Sequence, residues 1–512
     1  MNAHRSMPAM LSPSSHLERE MTRNQRGLVE TCFEEGQYES GIAVLEQLRS
    51  EKFKPPVSLI RQLIYIALYP PPSHDSVEER DFDPVSPSKG SPTKRGNQAP
   101  KVTFAPTADA SAAAQRLLLS FVRTNAPASL VQALPQPRVN GCNELPFESD
   151  DHDSVVAKES LCIKDAKHCW AILKEGFVPR IKIPPSSLLA GKRKRGKVIN
   201  NTQDYPVEHL GNSILAPVAD HAWLVLQWLV ELFQCDEYLT SGDSSVNHSP
   251  LLLLQIPPPR SGTGLRWEAD APLDIVFHCV SHSQQQKQQL GLELMTLLIH
   301  IGLSTEFDSV MFLERVTSRL YSTSSEIVQI FMSGLHLSHS VQLFKLALCR
   351  NFLSDESGGG NTSARRPKPQ ARAVRVVRGT APAKENVSPS TTDDSSTSLS
   401  ASRFSLPPTG DVVHLLTVSN GCSSSPTILI VKKELLISYG YLQQIAERPD
   451  VEWRQLAAGG HLEGLVNSIF GSESYALHDR DALIALVKTA VEHVPFLEKC
   501  PFNCPAFDAA LA

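Results

Sequence analysis

Aromatic residues are scarce, at 6% of the chain, which argues against a β-sandwich core or an aromatic platform for stacking bases. Long apolar runs are missing too. The longest, AWLVLQWLVELF at 222–233 and LGLELMTLLIHIGL at 290–303, fall short of the ~20 residues that a membrane-spanning helix needs, so both read as buried core helices. The first twenty residues, MNAHRSMPAMLSPSSHLERE, hold no continuous apolar core, and no secretory signal is expected. Neither sign of charge dominates: the formal net charge is −5. That balance disfavours a protein whose whole surface grips nucleic acid, while leaving room for local patches.

Signatures of catalysis are absent as well. The chain has no Gly-rich phosphate loop, no HExxH, no G-x-S-x-G and no aspartate-rich metal loop. SGTG at 261–264 lacks the lysine of a phosphate cradle, and His300 lies inside an apolar run where a satisfied core histidine is expected. The ten cysteines suit a reduced, intracellular chain. Cys500 and Cys504 form a lone pair without the second pair that a structural zinc site requires. The expectation is a protein that is not an enzyme, with no metal and no cofactor.

What is present is helical periodicity interrupted by clustered proline. Val29, Cys32 and Phe33 form one apolar stripe, and Gly36 follows as a left-handed helix end. Ile42, Leu45 and Leu48 start a second stripe. Pro55-Pro56 opens a third helix, on which Val57, Ile60, Leu63 and Ile64 are core positions; Leu59 and Ile66 fill its flanks, so burial on most sides is expected. A helix that apolar needs a larger helical body around it. The two-helix repeat arrays recur at about 34 residues, and no second copy of this phrase is found.

The expected organisation is an all-α, irregular multi-helix globular domain with two long disordered linkers. Residues 1–22 read as a disordered N-terminus and 23–70 as a helical hairpin leading into the main domain. Residues 71–111 read as a Pro/Ser/charge-rich linker. The main helical body spans 112–353, with polar surface loops near 140–160, 185–215 and 240–270. Residues 354–406 read as a second linker, basic and then Ser/Thr-rich. A C-terminal helical segment at 407–498 packs on the main body, and 499–512 is a tail.

Short motifs fall mainly in those linkers and loops. GKRKRGK places Lys192, Arg193, Lys194, Arg195 and Lys197 in one basic cluster, suited to a nuclear import receptor or to DNA phosphate. Arg365, Arg366, Lys368, Arg372, Arg375 and Arg378 spread similar charge along the second linker. Ser86 and Ser91 each begin a Ser-Pro-x-Lys phrase, a candidate for proline-directed phosphorylation. Lys101, Val102 and Phe104 fit the short strand by which substrates dock on protein phosphatase one. Lys384, Glu385 and Asn386 fit a mitotic destruction box. Ile428, Leu429, Ile430 and Val431 are similar to a SUMO-interacting strand. Lysines follow them where acids would stand, which favours instead the start of a buried segment leading to Leu435 and Leu436.

The stretch RGLVETCFEEGQYESGIAVLEQLRSEKFKPPVSLIRQLI resembles the opening of the Nse-five-like helical domain in the localisation factors of the SMC five/six complex. The shared phrase is Arg26-Gly27-Leu28, an acidic helix, a Gly-aromatic turn, then Pro55-Pro56-Val57. A second echo runs from Ala271 to Leu313. The family includes an ankyrin-bearing localisation factor and a SUMO-interacting-motif-containing relative. The tandem BRCT domains and ankyrin repeats of the former are not seen here, nor the SUMO-binding tail of the latter.

The resemblance implies a non-catalytic nuclear adaptor. It would pair with a second helical localisation factor as a heterodimer and bring the SMC five/six complex to DNA, touching DNA indirectly or without sequence preference. SUMO or SUMOylated proteins are further implied partners, and no membrane is involved. Two other classes stay open at this point: a helical-repeat protein that binds nucleic acid, and a regulatory subunit of protein phosphatase one built around Val102 and Phe104.

Overall fold

The computed structural model describes residues 18–71, 105–135, 154–180, 215–241, 248–256, 269–302, 304, 307–357, 406–417 and 425–470, with positions 482 and 485 besides. Among these the protein is all-α: seventeen α-helices and two strands of two residues each. It divides into two compact units at Asp308/Ser309.

In the first unit, helix α1 (Arg23–Glu34) starts at a reciprocal cap. Thr22 Oγ1 accepts the Gln25 N–H at 3.3 Å, and Gln25 Oε1 accepts the Thr22 N–H at 3.0 Å. Gly36, at φ 74°, turns the chain into α2 (Tyr38–Leu48). At Gly41 a Cβ would stand 2.6 Å from Phe33 Cε1, so a residue without a side chain lets the two helices meet. Strand β1 (Arg19–Glu20) pairs in parallel with β2 (Phe53–Lys54).

The chain then enters α3 (Val57–Ala67), in which every residue from Leu59 to Ala67 is buried. Ile60, Leu63 and Ile64 are sealed as expected, whereas Val57, in the first turn behind Pro56, is only half-buried. Two partners cover α3: α4 (Ala108–Thr124) and α6 (Val155–Asp165), with the one-turn helix α5 (Pro127–Leu130) between them in sequence. Side chains of α4 also finish α3. Ser111 Oγ and Gln115 Nε2 both donate to the Ala67 carbonyl, at 3.0 and 2.9 Å, and Gln115 Nε2 reaches the His221 carbonyl at 2.8 Å.

The remainder of the unit is α7 (Trp223–Ser241), α8 (Pro250–Leu254), α9 (Asp270–Val280) and α10 (Gln285–Gly302). Helices α9 and α10 pack at Gly291, where a Cβ would stand 2.5 Å from Cys279 Cβ.

The second unit contains α11 (Ser309–Tyr321), α12 (Ser325–Gly334), α13 (His339–Ser357), α14 (Thr409–Thr417), α15 (Pro426–Ile445), α16 (Val451–Ala458) and α17 (His461–Phe470). Helix α15 is its axis and packs on α12 and α13. The buried Tyr439 hydroxyl ties the unit together. It lies 2.8 Å from Thr409 Oγ1, accepts Gln443 Nε2 at 2.8 Å and donates to the Pro407 carbonyl at 3.1 Å. Asp450 Oδ2 in turn accepts the Thr409 amide at 3.0 Å and hydroxyl at 2.6 Å.

Several boundaries differ from those the sequence suggests. Residues 18–22 are structured rather than a disordered tail: Glu18 Oε1 accepts Asn125 Nδ2 at 3.0 Å and the Ala126 amide at 2.9 Å, its other oxygen accepts the Ser129 hydroxyl, and Met21 is buried. The first linker stops short of 111, because Thr107 caps α4 and accepts the Ala110 amide at 3.0 Å. Two stretches expected as surface loops carry helix: α6 starts at Val155 under a Ser154 cap, and α8 occupies Pro250–Leu254. The single main body expected over 112–353 is cut at Asp308/Ser309, and α14–α17 belong with α11–α13.

Candidate functional site

Helix α7 carries chemistry at its first residue and an apolar edge near its last. At the start, the Trp223 indole is half-exposed and surrounded. The His278 imidazole stacks on it at 5.7 Å and 12°, and the His282 ring meets it edge-on at 5.5 Å. Lys287 Nζ sits 4.2 Å from the ring centroid, a cation over an electron-rich face. Lys287 Nζ also lies 3.0 Å from His282 Nε2, while His282 Nδ1 accepts the Gln284 amide at 3.1 Å.

Local sequence explains the assembly. His278 sits in the last turn of α9, His282 just past its end, and Lys287 in the first turn of α10. The α9–α10 turn thereby folds three basic side chains over one indole. Burial holds the His278 pKa below the usual histidine range, and His282 and Lys287 push it further down, against a smaller upward pull from Asp220.

At the far end of α7, Asp236 Oδ2 accepts the Ser249 hydroxyl at 2.5 Å and the Leu251 amide at 3.0 Å, which fastens α8 to α7. Burial raises the Asp236 pKa, and these hydrogen bonds oppose the rise. Within three residues of this junction, Tyr238 is 56%, Leu239 44% and Leu254 50% exposed. Next to them His300 Nδ1 donates to Glu237 Oε1 at 2.6 Å, so His300 is a paired helix residue.

The residues singled out from sequence are distributed otherwise. Ser86, Ser91, Lys101, Val102 and Phe104, the cluster from Lys192 to Lys197, the triplet Lys384, Glu385 and Asn386, and the pair Cys500 and Cys504 all lie outside the described residues. Ile428, Leu429, Ile430 and Val431 are described and form no strand. They make the first turns of α15, with Leu429 and Val431 buried. A SUMO-interacting segment must offer an extended backbone to a sheet edge, and a helix spends those amides on itself. Lys432, which follows them, donates to the Leu416 carbonyl at 2.8 Å and so closes the end of α14.

Among the described residues no group of three or more His, Cys, Asp or Glu could hold a metal ion, and no helix is long and apolar enough to cross a membrane. The Trp223 cluster was not singled out in the sequence. Its one local signal is the spacing of His278 and His282, four residues apart at the end of an apolar run. No family model, curated protein or solved structure matches the chain.

Proposed function

We propose that the chain is a non-catalytic nuclear adaptor that pairs with a second helical localisation factor and recruits or regulates the SMC five/six complex on DNA. The observation that carries this reading is the apolar edge of Tyr238, Leu239 and Leu254 around the α7–α8 junction. Large apolar side chains left in water near one helix junction favour a protein partner, and obligate heterodimers bury ~2,000 Å² or more in total. The likeness of the α1–α3 stretch to the Nse-five-like domain names the kind of partner. In support, α3 is covered by α4 and α6 and not by another α1–α3 copy, as a repeat array would require.

The test is recovery of the tagged full-length chain from dividing cells, beside a Tyr238→Glu/Leu254→Glu variant. Both side chains are about half exposed, so the variant retains its fold. The expected result is that the wild type brings down a second helical protein together with SMC five/six subunits and that the variant loses both. Recovery of the wild type without any SMC five/six subunit overturns the proposal.

A further inference from the structure

The His282–Lys287 contact has a proton problem. A neutral imidazole has one N–H and one lone pair. If Nδ1 accepts the Gln284 amide at 3.1 Å, then Nε2 carries the hydrogen and points it at the Lys287 ammonium, 3.0 Å away. If Nδ1 carries the hydrogen, it opposes the Gln284 N–H instead. Either tautomer sets one donor against another.

Among the described residues nothing nearby relieves this. Among the described residues Lys287 has no carboxylate within ion-pair distance, and α10 has no acidic residue in its first turn. Asp220 exerts an upward pull on His278. Trp223 closes one side of the cluster, yet His278, His282 and Lys287 all keep part of their surface in solvent. A small acceptor can therefore reach Lys287 Nζ and His282 Nε2–H together.

We propose that Lys287, His282 and His278, gathered on Trp223, form a binding site for a phosphoryl group. A phosphomonoester is close to a dianion near neutral pH and carries three acceptor oxygens. One oxygen accepts from the ammonium and another from the His282 N–H, so the two donors no longer face each other unrelieved. Charge-assisted contacts of this kind are stronger than neutral hydrogen bonds. The site lies at the opposite end of α7 from the apolar edge, so its use is independent of the partner proposed above.

Calorimetric titration of the full chain tests this, with inorganic phosphate in one arm and a phosphoserine peptide covering residues 82–95 in the other. The unphosphorylated peptide is the control. The expected result is a dissociation constant of about 1 mM or below for at least one phosphorylated probe, weakened about tenfold or more by Lys287→Gln and by His282→Gln. Lys287→Arg keeps the charge and binds, which separates loss of the site from loss of the fold; Lys52→Gln, an exposed lysine elsewhere, changes nothing. Binding of both probes assigns the site to phosphate in general, and binding of the peptide alone assigns it to a phosphorylated chain segment. Absence of binding by either probe, or equal binding by wild type and Lys287→Gln, overturns the proposal.

Discussion

Lys345 Nζ on α13 lies 2.7 Å from Glu434 Oε2 on α15, with 4% and 11% of the respective side chains exposed. Two charges this deeply buried gain little net stability from each other, because desolvation cancels most of the attraction. The cost of separating them is large. Glu434→Gln leaves an uncompensated ammonium in the packed interface and is expected to destabilise the second unit by about 3–5 kcal/mol. The double change Lys345→Met/Glu434→Leu removes both charges and should come within ~1 kcal/mol of wild type or exceed it. Urea denaturation of the three proteins checks this. A double variant as unstable as the single one would show that the ion pair itself holds α13 to α15.

Gln115 tests how the first unit is joined. Its Nε2 serves the Ala67 carbonyl at the end of α3 and the His221 carbonyl just before α7. Gln115→Leu keeps much of the volume, takes this donor from the His221 carbonyl and leaves the Ala67 carbonyl with Ser111 alone. The expected loss is about 1–3 kcal/mol, the price of leaving buried polar groups unpaired. Ser111 still serves Ala67, so Ser111→Ala combined with Gln115→Leu should lose more than the sum of the two single changes. Simple additivity in a double-mutant cycle would remove the argument that the two share one acceptor.

Two helix glycines should respond in opposite directions. At Gly291 a Cβ would meet Cys279 Cβ at 2.5 Å and the Val276 carbonyl oxygen at 3.1 Å, so Gly291→Ala must push α9 from α10 at about 1–3 kcal/mol. At Gly27, within α1, nothing lies within 4 Å of the added atom. Gly27→Ala should stabilise by roughly 0.4–1 kcal/mol, through lower backbone entropy in the unfolded chain. Thermal unfolding of the two variants reads both signs, and destabilisation at Gly27 would show that the entropy argument fails there.

The contrast between these sites explains what the sequence makes legible. The left-handed turn at Gly36, the helix after Pro55-Pro56 and the burial of Ile60, Leu63 and Ile64 all follow from spacing within a dozen residues, where sequence reading is strong. Glu18 holding Asn125, and Gln115 holding Ala67 and His221, join residues 48 to 107 positions apart, and no local pattern announces them. The run from Ile428 to Val431 suits a strand by composition but opens α15, a helix that packs on α12 and α13, with Leu429 and Val431 of the run buried. The Trp223 cluster is hidden for a similar reason: its basic residues come from the α9–α10 turn and its indole from α7.

Acid should weaken the first unit, and His168 gives the window. Burial, helped by the nearby Lys174 and Lys167, lowers its pKa from 6.5 to about 4. Among the described residues its buried Nδ1 also has no hydrogen-bond partner that would favour the charged ring. The unfolded chain binds a proton at this residue below pH 6.5 and the folded chain does so only near pH 4. Unfolding therefore takes up a proton between those values. Stability is complete above pH 6.5, falls as the pH drops through the window and levels off below about 4. Burial lowers His221 and His278 as well, which adds to the slope, whereas the raised pKa of Asp236 favours the folded state in acid and subtracts from it. The informative quantity is thus the difference between wild type and His168→Gln, not the absolute slope. Denaturant midpoints measured at steps from pH 7.5 to 4 should decline more steeply for the wild type than for the variant. Parallel curves would show that His168 is as free to take a proton in the folded protein as in the unfolded one.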